Sequence, residues 1–237
     1  MAISDLDFPV GVVARSHSDS AQLAQALAEN VAGALRDAID SHGQATLVVS
    51  GGRSPIAFFK ALSQQALPWS KVLVSLADER WVPVSHEDSN EALVRRHLLQ
   101  GPAAEARLLG LYHSAGSLEE AARLTEQALA DLPSIDVLIL GMGADGHTAS
   151  LFPNSPNLDE AMDRDGSRRC LPMLAPSVPH QRLTLTLPVL KAARLQILSI
   201  EGQGKLEVLA QAMQQPDQRN MPISAFIDAP LEIYWCP

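Results

Sequence analysis

At 237 residues, with 46% hydrophobic and 19% charged side chains, the chain has the length and balance to bury a substantial core as an ordinary globule. A net charge of −9, a pI near 5.2 and the lack of any Lys/Arg-rich run argue against nucleic acid or an anionic membrane surface as the main partner. Cys170 and Cys236 are too few for a disulfide framework and lack zinc-site neighbours, so buried or idle thiols are expected. The acidic start at Asp5 and Asp7 is unlike a signal peptide, and no apolar run approaches the ~18 residues of a membrane span, so the expectation is a cytoplasmic protein.

Strand and helix patterns alternate along the chain. Residues 9–14 form a plausible edge strand. Ser18 then caps a long helix carrying Leu23, Leu27, Val31 and Leu35 along one face, which His42-Gly43 ends. Thr46 to Val49 is a short apolar strand running into Ser50-Gly51-Gly52-Arg53-Ser54-Pro55, and a helix should begin at Pro55, because proline suits the first helical position. Lys71 to Ala77 is the next strand, followed by the polar loop 78–83. Ser89 caps a helix to Leu99 with Glu91, Arg95 and Arg96 on its polar side. Ser117 and Glu120 stand at capping-box spacing for a helix to Leu132. Val137 to Leu140 reads as a strand buried on both faces. Residues 153–181, rich in Pro and Asn, read as a mobile lid or excursion. The alternation in 182–187 suggests a half-exposed strand; Leu195 to Ile200 is a buried strand, Lys205 to about Met213 a helix, and Leu231 to Cys236 the last strand. This order predicts an α/β fold with a mostly parallel, doubly wound sheet and helices on both faces, built as a single domain over 1–237.

In such a sheet the loops 50–55, 78–83 and 141–148 share one carboxyl edge, where α/β proteins bind ligands. A Ser50-Gly51-Gly52 turn before a helix offers N–H groups and a dipole to an anion, most naturally a phosphate, although no Walker sequence follows it. Asp78-Glu79-Arg80 also fits a solvated charge cluster, and Arg182 and Lys205 are ambiguous singly; together, Arg and Lys from separate elements can converge on a phosphate.

The richest stretch is 135–153, IDVLILGMGADGHTASLFP. Glycines 141, 143 and 146 interrupt the apolar run beside Asp145 and His147. Three readings compete. The string Gly141–Gly146 satisfies G-x-G-x-x-G, but that dinucleotide pattern needs a helix straight after it, and Pro153, Asn154, Pro156 and Asn157 break the chain instead. A structural histidine is the bland alternative. The third is catalysis, since an imidazole with an ordinary pKa of about 6.5 can take a proton near neutral pH.

Taken together, Ser50–Pro55, Asp78-Glu79-Arg80-Trp81-Val82-Pro83, His86 with Ser89-Asn90, Gly141–Pro153, Arg182–Thr186 and Gly204-Lys205 resemble, in order and spacing, the motifs of 6-phosphogluconolactonases. The resemblance implies a three-layer α/β/α, Rossmann-like fold and hydrolysis of 6-phospho-D-glucono-1,5-lactone to 6-phosphogluconate in the pentose phosphate pathway. It implies no metal or organic cofactor, His147 as general base, and Arg182 and Lys205 at the phosphate. Asp145, two residues before His147, could orient the imidazole or favour its protonated form, but spacing does not say whether the two touch. Ser50, Gly51, Gly52, Arg53, Asp78, Arg80, Asn90 and Gly143 complete the candidate substrate site. Arg53 is a departure, standing where many members carry Ser or Thr. The related glucosamine-6-phosphate deaminases share the fold and an Asp-Gly-His loop but carry an acidic residue five positions after the histidine, where this chain has Phe152. The rivals are therefore a deaminase-like sugar-phosphate isomerase, told by ammonia release, and a non-catalytic sugar-phosphate binding module. The expected partner is a phosphorylated sugar lactone, and monomer and homodimer both remain open.

Overall fold

The computed structural model describes residues 2–237. In chain order its strands are β1 (Val12–Ser16), β2 (Ala45–Val49), β3 (Val72–Leu76), β4 (Asp78–Arg80), β5 (Arg107–Leu109), β6 (Val137–Leu140), β7 (Cys170–Leu174), β8 (Gln181–Leu185), β9 (Leu195–Glu201) and β10 (Leu231–Cys236). Its α-helices are α1 (Ser20–His42), α2 (Ile56–Ser63), α3 (Asn90–His97), α4 (Leu118–Ala128), α5 (Leu158–Ala161), α6 (Leu187–Lys191) and α7 (Gln203–Gln214).

Seven strands make one wholly parallel sheet in the order β1-β10-β9-β6-β2-β3-β5, flanked by helices. β6, wholly apolar, and β2, apolar but for Thr46, lie inside it and are buried at every position, as parallel strands covered on both faces must be. β1, with alternating exposure, is an edge. The chain builds outward from β2 through β3 to β5, then returns to β6 on the other side of β2 and builds outward again through β9 and β10. The strand order thus reverses between β2 and β6, and at such a switch point the loops leaving the carboxyl ends part and open a crevice.

A second, three-stranded antiparallel sheet, β4-β8-β7, stands over that carboxyl edge. Ala77 joins the two sheets: its N–H donates to Val49 O at 2.9 Å in the large sheet, and its carbonyl accepts from Leu185 N at 2.9 Å in the small one. In register, Asp78 faces Thr184 and Arg80 faces Arg182.

The sequence expectations need several corrections. The helix cap before α1 is Asp19, which accepts from Gln22 N at 2.9 Å, while the Ser18 hydroxyl donates to Asp19. Residues 78–80 are a strand and not a loop. The strand at 181–185 is not half-exposed: Arg182 through Leu185 are buried, because β8 is the middle strand of the small sheet and is covered on both sides. Glu91 is buried too, its carboxylate paired with Arg95 at 2.7 Å. The Pro-rich stretch supplies α5 and the strand β7, so it is part of the second sheet. Glu120 reaches back to Gly116 N (2.9 Å), one residue before the cap Ser117. Both cysteines are buried and free. Among the described residues, no helix is long and apolar enough to cross a membrane.

Candidate active site

A cavity of about 240 Å³ opens at the carboxyl ends of β2, β3, β6 and β9. Its walls include Ser50 through Pro55, Asp78, Arg80, Asn90, Gly143, His147, Phe152, Arg182, Glu201 and Lys205, with Leu27 of α1 and Phe58 of α2 adding apolar surface. Every site residue named from the sequence is on this wall except Asp145, which reaches the cavity only through His147.

The loop after β6 sets the imidazole. Gly143 N donates to His147 O at 2.8 Å and Gly146 N to Gly143 O at 3.2 Å, so the chain doubles back on itself. A Cβ on residue 143 would lie 2.1 Å from His147 Nδ1 and 2.5 Å from Asp145 Oδ1, which is why that position must be glycine. Asp145 Oδ1 accepts from the His147 backbone N–H at 3.2 Å and lies 2.5 Å from Nδ1. Burial pushes the Asp145 carboxyl up, but the hydrogen bonds and charge of His147 outweigh it and leave Asp145 below its ordinary range. An ionised carboxylate can only accept, so Nδ1 carries a proton, and in the neutral imidazole the lone pair lies on Nε2. Phe152 packs on the ring, centroids 4.4 Å apart. The Thr148 hydroxyl ties the loop to Gly141 O at 2.8 Å.

The same cavity holds a set of cations. Arg53, Arg80, Arg182 and Lys205 line the cavity against the carboxylates of Asp78 and Glu201, so the site is locally positive inside a chain of net charge −9. Arg80 and Arg182 face each other across β4 and β8. Like charges in that position repel. Burial and then the Arg80 charge pull Arg182 below the ordinary guanidinium range, with Asp78, Asp88 and Glu79 opposing them. Arg182 Nε donates to Pro179 O at 2.8 Å and its guanidinium lies 5.7 Å from the Phe152 ring centre. Arg80 Nη1 donates to Asp88 O at 2.7 Å. Lys205, in the first turn of α7, is lowered by burial and raised by the charge of Asp145, which places it on the His147 side. Arg80 Nε and Ser50 Oγ are buried with no hydrogen-bond partner in the protein, although buried polar atoms are normally satisfied. Among the described residues, no group of three or more His, Cys, Asp and Glu is placed to hold a metal ion.

Sequence reasoning missed three contributors. Ser150 donates to Asp78 Oδ2 at 2.6 Å, locking the His147 loop to β4. Phe152 was legible only as a missing acid, yet it wedges between His147 and Arg182. Glu79 was legible as part of a charge cluster, yet it is fully buried behind the site. An acidic residue next to a buried strand and followed by a Ser-Asn helix start was the available signal.

A family model described as glucosamine-6-phosphate isomerases/6-phosphogluconolactonase matches residues 18–235. The chain belongs to that family. Among the family's named members, a 6-phosphogluconolactonase of Pseudomonas aeruginosa is 62% identical over the full length of both chains, and one of Pseudomonas putida is 55% identical over 100% of this chain and 98% of its own. In structure, a 6-phosphogluconolactonase from Shewanella baltica, 36% identical, superposes with a TM-score of 0.92 over 98% of this chain and 100% of its own. The Shewanella structure shares the parallel sheet with flanking helices described above.

Proposed function

We propose that the protein is a 6-phosphogluconolactonase, hydrolysing 6-phospho-D-glucono-1,5-lactone to 6-phospho-D-gluconate as a cytoplasmic step of the pentose phosphate pathway. The observation that carries this reading is an imidazole oriented by Asp145 in the same cavity as the cations Arg80, Arg182 and Lys205. His147 Nε2 takes a proton from water as its oxygen bonds to the lactone carbonyl carbon. When the tetrahedral adduct collapses, the bond from that carbon to the ring oxygen breaks, and the proton held on His147 passes to the departing oxygen. Asp145 stabilises the imidazolium between those two moments. The phosphate is held by Arg182, Arg80 and Lys205, with the N–H groups of Gly51 and Gly52 and the unpartnered Ser50 hydroxyl beside them. Arg53, on the rim, adds a further cation. Metal or cofactor is needed for none of these steps. Phe152 in place of a carboxylate suits ester hydrolysis, which requires fewer acid/base groups than ring opening and proton transfer at carbon.

The test is a lactonase assay with fresh substrate, read against spontaneous hydrolysis, comparing the wild type with His147→Ala. General-base loss predicts a kcat lower by roughly 10²–10⁴-fold. KM should stay within about 2-fold, since the imidazole contributes little ground-state binding. Turnover at the wild-type level in His147→Ala refutes the assignment, and ammonia release from an amino sugar phosphate would move the protein to the isomerase branch.

A further inference from the structure

Strand alternation sends Asp78 and Arg80 of β4 to the cavity face and Glu79 to the other. There its carboxylate is enclosed by donors from two elements. Oε1 accepts from Arg80 N and Asn90 N, both at 2.7 Å. Oε2 accepts from Glu91 N at 2.8 Å and from the Ser89 hydroxyl at 3.3 Å. Ser89 in turn caps α3 by accepting from Ala92 N at 3.1 Å. The first three N–H groups of α3 are thus satisfied by one carboxylate and one hydroxyl, and a negative charge sits at the positive end of the helix.

What this arrangement fixes is Asn90. Its Nδ2 donates to Asp78 O at 2.9 Å, and its amide lies so close to the Ser50–Pro55 turn that a Cβ on Gly51 would be 1.9 Å from Oδ1. We propose that Glu79 is a positioning residue of this site: by binding the start of α3 to the end of β4 it holds Asn90 against the Gly51 turn and so shapes the anion-binding wall without touching the ligand. The inference rests on the lactonase reading of the cavity.

Titration supports the same conclusion. Burial pushes the Glu79 carboxyl up to about 7, against the pull of its backbone donors, and the neighbouring Asp78 charge adds to the rise. The charged groups around it are Asp78 and Arg80 on β4, Arg182 on β8, Asp88 before α3 and Glu91 within it. A proton on Glu79 turns one acceptor into a donor facing other donors, so Asn90 loosens as pH falls through neutrality.

The experiment is full-chain Glu79→Gln assayed for lactonase activity between pH 5.5 and 8.5 after background subtraction. In the wild type, KM should rise as pH falls through about 7, a change separate from the acidic limb that His147 as base gives to kcat. In Glu79→Gln this pH dependence of KM should vanish and KM should be about 10-fold higher with kcat nearly kept, about the 1.4 kcal/mol of one misaligned hydrogen bond. Combining it with Asn90→Ala should add less than about 2-fold to the KM of Asn90→Ala alone, because the two act as a unit. Should Glu79→Gln not fold, Ser89→Ala serves: it removes one donor to the ionised carboxylate, so the pH at which KM changes must move higher. A wild-type KM with its wild-type pH dependence in Glu79→Gln, multiplicative losses in the double variant, or an unmoved KM transition in Ser89→Ala overturns the role of Glu79 alone. A wild type with no rate above background overturns the lactonase reading and this one together.

Discussion

Arg182 offers the sharpest test of which wall reads the phosphate. Its Nε is engaged by Pro179 O, which leaves the two terminal nitrogens as the donors that reach a ligand, and its guanidinium lies over Phe152. Methionine at 182 keeps most of the stem and removes the charge. Net hydrogen bonds to charged groups contribute about 1.5–3 kcal/mol each; losing one strong or two modest bonds predicts about 3 kcal/mol, or roughly 150-fold in kcat/KM for the phosphorylated lactone. Arg80 and Lys205 remain, so the loss should not reach the upper end of what an unpaired buried charge costs. Unphosphorylated gluconolactone never engaged the guanidinium and should lose less than about 3-fold. The fold should tolerate the change: the Pro179 bond is lost, but so is repulsion from Arg80 across β4 and β8, and the two offset each other to within about 1 kcal/mol. The assay is kcat/KM on both lactones for wild type and Arg182→Met, with thermal unfolding as the control. Equal losses on the two substrates, at unchanged Tm, would refute the assignment of Arg182 to the phosphate.

Two further outcomes are expected. Gly143→Ala should lower kcat by at least 10-fold with KM little changed, because the new methyl group meets His147 Nδ1 and Asp145 Oδ1 and tilts the imidazole from its aim; steady-state kinetics on the folded variant checks it. Glu79 should also make stability depend on pH: with a folded value near 7 and an ordinary value of 4.5, its contribution is fully present below about pH 4.5 and is lost as pH rises through 7, by roughly 3 kcal/mol. Urea unfolding of wild type and Glu79→Gln at pH 4.5, 6 and 8 should show the gap between them changing in that direction, and parallel curves would contradict it.

The large sheet was legible because its strands obey one rule each. Val137 to Leu140 and Leu47 to Val49 are continuous apolar runs, and parallel burial is the arrangement that accepts them. Leu23, Leu27, Val31 and Leu35 mark the buried stripe of α1 just as plainly. The second sheet was not legible, since its strands are short and break their own patterns: Asp78–Arg80 is all charge, Cys170–Leu174 contains Pro172, and Gln181–Leu185 alternates although β8 is covered on both sides. Those strands form through pairing with one another and with Ala77, a tertiary cause that no local propensity reports. At the site, the glycines, His147, the cations and the Ser50–Pro55 turn could be named from spacing. The contact of Asp145 with Nδ1 could not, because it depends on the doubling back of the loop at Gly143.

The same cavity concentrates features that stability alone would remove. Arg80 faces Arg182 in register, Arg80 Nε and Ser50 Oγ are buried without partners, and a carboxylate with an ordinary value of 4.5 is held where burial lifts it to about 7. Each is relieved by a simple change, such as Thr at 182, Ala at 50 or Gln at 79. Local violations of packing and pairing rules are expected at functional sites, where the missing partner is the ligand. On the proposed reading a phosphate supplies what the first two lack: counter-charge for the guanidiniums and acceptors for Nε and the hydroxyl. Like charges in register beside unpartnered donors in one cavity thus fit an anionic ligand, by a route independent of the resemblance between sequences.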